Sequence, residues 1–178
     1  MTSRKKLFVS VLILLFLGVV LFGRWRIKES SKEQFFITAE QERLLGLPPD
    51  PGEAGKQTLV GIDSDKDGVR DDVQRWIGVE YSNSAESRAA LLQHARAHQA
   101  FIASVAASTT SSKEVLAIIN ANTCLSSVFG PSSEAEKNIK LLETNTNARL
   151  EADLLTWKFA TELPRTIPRQ SEWKLLCN

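Results

Sequence analysis

Asp63-Ser64-Asp65-Lys66-Asp67-Gly68-Val69-Arg70-Asp71-Asp72-Val73-Gln74-Arg75-Trp76-Ile77 is the stretch around which the rest of the chain is organised. With Asp63 as position 1, carboxylates stand at positions 1, 3, 5 and 9, the last being Asp71. Alternate spacing lets the first three turn toward one centre as the backbone curls. Gly68 falls at position 6, where the sharp turn needs a conformation that side chains resist. Val69 at position 7 offers its carbonyl, which leaves its side chain free to be apolar and face a core. Such a ring of oxygens suits calcium, a hard cation that takes six to eight oxygens at about 2.3–2.6 Å. Gln74 at position 12 gives one neutral amide oxygen, so coordination is lower there or completed by water. The expected ligands are Asp63, Asp65, Asp67 and Asp71 through side chains, Val69 through its carbonyl, and Gln74 weakly. Asp72 is expected to face outward in the first helical turn, near the positive end of the helix dipole.

This ligand scheme resembles the EF-hand loop almost position for position. It departs at Gln74, where an EF-hand supplies a bidentate glutamate, and in its flanks. Thr58-Leu59-Val60-Gly61-Ile62 reads as extended or irregular, whereas the exit reads as a helix with Val73, Trp76 and Ile77 on one face. A loop with a helix on only one side is similar to a thrombospondin type 3 repeat or a dockerin half-site. Residues 47–77, from the Pro-rich Leu47-Pro48-Pro49-Asp50-Pro51 onward, resemble a stretch of uncharacterised bacterial envelope proteins. The resemblance implies calcium binding, without an activity, at the modest affinity of extracellular modules, about 10⁻⁴–10⁻³ M. The competing reading is a solvated acidic turn that caps the next helix. Four matched carboxylates plus the glycine favour the metal.

Leu7 to Gly23 is an unbroken run of apolar or small residues, LFVSVLILLFLGVVLFG. At 1.5 Å per residue it reaches about 25 Å, the lower end for a membrane-spanning helix, and Trp25 fits the interfacial belt. A cleaved signal peptide needs small residues at a cleavage site, but Arg24-Trp25-Arg26 follows. An uncleaved signal anchor is the better reading, and no cysteine follows closely enough for a lipoprotein anchor. Basic residues flank both ends (Arg4, Lys5 and Lys6 before; Arg24, Arg26, Lys28 and Lys32 after), so charge bias leaves the orientation open. Two features place the remainder outside the cytoplasm: millimolar calcium is an extracytoplasmic commodity, and Cys124 and Cys177 are the only cysteines. They are either a disulfide in an oxidising compartment or two unrelated buried thiols; the disulfide is favoured because it would tie down the tail. The net charge of +1 is more than accounted for by the three basic residues before the span. No basic patch supports nucleic-acid binding.

The fold class read from this pattern is mostly α. A single N-terminal transmembrane helix precedes a small bundle of about three main helices, entered through the calcium-loop-plus-helix element. Residues 1–6 form a cytoplasmic N-terminus and 7–23 the anchor. Residues 24–57 are a stalk and Pro-rich linker with a short helix that Gly46 ends, and 58–178 the soluble domain, with its loop at 63–74. The first long helix runs from Ser84 to about Ser108, striped by Leu91, Ala95, His98, Ile102 and Val105. A second is capped by Ser111 or Ser112 and stopped by Gly130-Pro131. A third runs from near Ser133 to Leu163, striped by Ile139, Leu142, Thr146, Leu150, Leu154 and Trp157. Trp173, Leu175 and Leu176 are available to pack back.

Signals for catalysis are weak. His94 and His98 share a helix face at the spacing of a zinc pair. However, Ala95-Arg96-Ala97 between them holds no glutamate and no third ligand declares itself, so they are expected to be surface or half-buried. Glu143, Glu151 and Asp153 read as a solvated helix face. The chain is therefore expected not to be an enzyme. It reads as a membrane-anchored, extracytoplasmic calcium-binding protein of the cell envelope, facing the periplasm or exterior, with a structural, binding or scaffolding role toward an envelope partner. The alternatives are an envelope hydrolase using His94 and His98, and a metal-free subunit of a membrane complex.

Overall fold

Capping side chains decide where the helices begin. The computed structural model describes residues 38–161, 163 and 169–177. Helix α1 is the short Ala39–Leu44, and α2 is Asp71–Glu80. Helix α3, Ala85–Ala106, starts where the Ser84 side chain accepts from the Ser87 amide. Helix α4, Ser112–Phe129, is opened by a reciprocal Ser111–Glu114 capping box. Helix α5, Glu134–Glu143, and α6, Asn147–Ala160, are capped by Ser133 and Thr146. Two 3₁₀ segments, Gly52–Lys56 and Gln170–Leu176, complete the elements. Among the described residues there is no strand, and Leu59–Ile62 is irregular. The all-helical class is as expected.

Helices α3 and α4 pack as the central pair, with α2 and α5 against α3 and α6 bridging α3 and α4. Val69, Val73 and Ile77 from the loop and α2 join Leu91, Leu125 and Ile139 in one core cluster. Phe101, Ile102, Val115, Ile118 and Ala152 form another. Residues 1–37, which hold the expected cytoplasmic N-terminus, the expected membrane span 7–23 and the first part of the expected stalk, lie outside the described residues. No helix among the described residues is long and apolar enough to cross a membrane.

The single third helix expected over 133–163 is two helices. Thr144 and Asn145 interrupt it, and Thr146 starts a new one by accepting from the Arg149 amide at 3.2 Å. The interruption resets the helical phase. Ile139 is buried as expected, but Leu150, Leu154 and Trp157 face solvent, and α6 buries Arg149, Ala152 and Asp153 instead.

Cys124 and Cys177 are bridged, which fastens the C-terminal 3₁₀ segment to α4. Gln93 donates to the Leu176 carbonyl at 2.7 Å, whereas Leu175 stays exposed. The cysteines are 53 residues apart. Reduction should therefore lower stability by on the order of 4 kcal/mol in the chain-entropy model. Denaturant unfolding with and without reductant measures this; coincident midpoints would refute it.

Candidate metal loop and buried charge cluster

The loop closes on its own carboxylates. Asp63 accepts from the amides of Asp67 at 3.2 Å and Gly68 at 3.0 Å, and Asp71 accepts from the Ser64 amide at 2.9 Å. Gly68 has φ 86°, the left-handed region that its position requires. Val69 is fully buried with its side chain in the core, so the loop is pinned at its seventh position.

Among the described residues, Asp63, Asp65 and Asp71 bring donor oxygens within 4.8 Å of one another. Asp67 does not join that group. Its Oδ1 accepts from the Val69 amide at 2.8 Å, and its Oδ2 pairs with Arg96 at 3.0 Å. Gln74 turns its amide inward, donating from Nε2 to Asp65 Oδ2 at 3.1 Å, while its shielded Oε1 has no hydrogen-bond partner. The two ends of an amide are nearly isosteric. A half-turn of this one would present oxygen to the cluster, the arrangement a cation would select. The residues therefore fit a small hard cation: three clustered carboxylates and an amide oxygen with no other duty.

Two buried arginines lock this loop to the bundle. Arg149 is fully buried and donates to the carbonyls of Gly55, Thr58 and Leu59 and to Asn145 Oδ1. Arg70 reaches across to the carbonyls of Leu142 and Glu143 at the end of α5. Asp72 does not face outward as expected: it pairs with Arg70 at 2.8 Å and takes a bond from Asn145. Burial works against its charge, but the Arg70 guanidinium holds the carboxyl below its usual range. A Cβ on Gly61 would come within 2.7 Å of both guanidinium side chains, so only glycine fits beneath them.

A second polar constellation lies inside the bundle. His94 and His98, expected near the surface, are 3% and 2% exposed, and Glu143 and Asp153, expected to be solvated, are 2% and 4% exposed. His94 Nδ1 lies 3.0 Å from Glu143 Oε1, and His98 Nε2 lies 3.2 Å from Asp153 Oδ1. Lys140 also pairs with Asp153. Burial disfavours a charge on His94, but Glu143 overrides it and raises the imidazole's pKa. Burial likewise opposes ionisation of Glu143, yet His94 and His98 hold its pKa below the usual glutamate range. The pair is thus favoured as imidazolium and carboxylate.

No family model, curated protein or solved structure matches the chain.

Proposed function

We propose that this chain is a membrane-anchored, extracytoplasmic calcium-binding protein whose metal is structural and whose helical domain binds or scaffolds an envelope partner. The observation that carries the calcium reading is the Asp63, Asp65 and Asp71 oxygen cluster beside the unpartnered Gln74 Oε1. Three carboxylates, with no imidazole or thiolate clustered beside them among the described residues, support a hard cation. In this reading Asp67 leaves Arg96 or binds through water, Val69 gives its carbonyl, and Gln74 gives its amide oxygen. The Cys124–Cys177 bridge supports an oxidising compartment, and the apolar run Leu7–Gly23 supports the anchor. Exposed Leu150, Leu154 and Trp157, spaced along one face of α6, supply apolar surface that the core does not consume, as a scaffold needs.

A sensor role is disfavoured by the same geometry. Val69, Val73 and the two arginine clamps hold the loop on the core, so little remains to move when the ion leaves. The hydrolase reading gains the convergence of both histidines with two carboxylates, but each imidazole is already held by a carboxylate of the cluster, and Glu143 Oε2 is left buried without a hydrogen-bond partner. A His94 favoured in its protonated form on Glu143 is a poor general base.

Thermal unfolding of the full chain in chelator, then across a calcium titration to several millimolar, tests the proposal. At ten times the dissociation constant the ion should add about 1.4 kcal/mol, a rise of about 3–5 °C for a domain of this size. Asp65→Ala should abolish the rise. A midpoint that ignores calcium at every concentration would overturn the reading.

A further inference from the structure

Glu143 Oε2, at the end of α5, is shielded from solvent and has no hydrogen-bond partner. An orphaned carboxylate oxygen in a protein interior carries a desolvation cost that a partner would offset. His98 Nδ1 lies 3.8 Å from it, beyond the roughly 3.2 Å reach of an N–H···O bond. The gap suits a shared metal ion better. Two ligands held about 2.0–2.2 Å from one tetrahedral zinc stand about 3.3–3.6 Å apart.

The ring nitrogens are arranged for the same ion. His98 Nε2 lies 3.2 Å from Asp153 Oδ1, and an ionised carboxylate only accepts, so the neutral imidazole carries its proton on Nε2. Nδ1 then keeps its lone pair on the side of Glu143. His94 presents Nδ1 to Glu143 Oε1 at 3.0 Å, while Asn122 bonds the same ring. The two imidazoles, one turn apart on α3, converge through Nδ1 on one carboxylate. Asp153 and Asn122 hold the rings from behind, the role that outer-shell acceptors play at histidine-bound metals. An ion here would replace the single His94–Glu143 hydrogen bond with bonds to both rings and would also engage Oε2. Ligand atoms of the three residues are not gathered within 4.8 Å, as those of the acidic loop are, so small side-chain rotations must bring them in. A cavity of about 550 Å³ between α3, α4, α5 and α6 has His94 and Asp153 in its lining, which gives the ion a route in.

We infer that His94, His98 and Glu143 form a site for a divalent transition ion of the zinc class, held by two Nδ1 atoms and one carboxylate, with a fourth position open to water. Two nitrogens and a carboxylate suit zinc and disfavour calcium, which takes oxygens. The site is separate from the acidic loop and does not rest on the calcium reading.

The chain has two histidines, so NMR of the ring nitrogens reads the site directly in the untagged full chain. With millimolar calcium present, zinc should bind with a dissociation constant of about 1 μM or tighter, measured by competition with a chromophoric chelator. Both rings should move to the pattern of metal on Nδ1 and proton on Nε2. Glu143→Gln should weaken zinc about a hundredfold and Asp153→Asn about tenfold, whereas Asp65→Ala should leave it unchanged. The ring spectra need no variant, so they decide the matter even where a substitution unfolds the domain. Ring signals that ignore zinc, or metal held through Nε2, would overturn the site. So would zinc binding weaker than about 1 mM, or affinity lost in Asp65→Ala and kept in Glu143→Gln.

Discussion

Arg149→Leu should cost about 3–5 kcal/mol, the range for removing one member of a buried, hydrogen-bonded charge system. The expectation rests on what the guanidinium leaves behind. Its donors satisfy the carbonyls of Gly55, in the first 3₁₀ segment, and of Thr58 and Leu59, in the irregular stretch that leads into the acidic loop, together with Asn145. Leucine fills part of the volume but donates nothing, and each orphaned buried carbonyl costs about 1–3 kcal/mol unless water reaches it. Arg149→Lys should recover only a small part, because an ammonium is a point charge with three donors and cannot replace a planar fork of five. Denaturant unfolding of the three proteins at one pH provides the measurement. A loss below about 1 kcal/mol for Arg149→Leu would mean that the segment does not need the clamp.

Replacing Glu143 should have an effect of similar size and a distinctive pH signature. Glu143→Ala leaves His94 and His98 buried without their common carboxylate, again about 3–5 kcal/mol. The more informative variant is Glu143→Gln, which keeps the shape and removes the charge. In the native protein His94 has a raised pKa, so its contribution is complete below the usual histidine value of about 6.5 and is lost as pH rises through the raised value. Glu143 has a lowered pKa, so its contribution is complete above about 4.5 and is lost as pH falls through the lowered value. Stability should therefore be greatest between about pH 4.5 and 6.5 and decline on both sides. Lys140, Asp153 and Asn122 also face this pair from α5, α6 and α4, and His98 from α3 itself, but they remain in the variant. Glu143→Gln should remove the decline above about pH 6.5 and replace it with a loss of stability as pH falls below that value, because a buried His94 without its carboxylate resists protonation. Flanks that match those of the native protein would assign the pH dependence to other groups.

The turn of the acidic loop was legible in the sequence because its backbone is set by local spacing. Gly68 adopts the positive φ its position demands, and Val69 buries its side chain while Asp63, Asp65 and Asp71 gather. Helices α3 and α4 were legible for a similar reason: Ser84 and Ser111 cap them and their apolar stripes are continuous. The charge cluster was not legible. Glu143 and Asp153 belong to a segment rich in charge, and only the partnership with His94 and His98, some fifty residues earlier, makes their burial tolerable. The run Thr144-Asn145-Thr146-Asn147 held the missed signal. Its residues compete for backbone hydrogen bonds and favour caps over helix interiors, so the leucine stripe should have been restarted there. For Arg70 and Arg149 no local pattern distinguishes a buried clamp from a solvated basic residue. Asp72 was misplaced with them, since its counter-ion could not be seen.

The separation of the arginine clamps from their targets also bears on the order of assembly. Arg149 bonds carbonyls 90 or more residues earlier in the chain, and Arg70 bonds carbonyls 72 and 73 residues later. The α3–α4 pair, by contrast, is a helical hairpin closed across a few residues. Chain closure is costliest for the distant contacts, so the hairpin can condense first and the acidic loop is seated late. An element absent from the transition state affects only the rate of escape from the native state. Calcium bound there would slow unfolding and leave the folding rate untouched, making the ion a latch on a finished fold and not a nucleus for one.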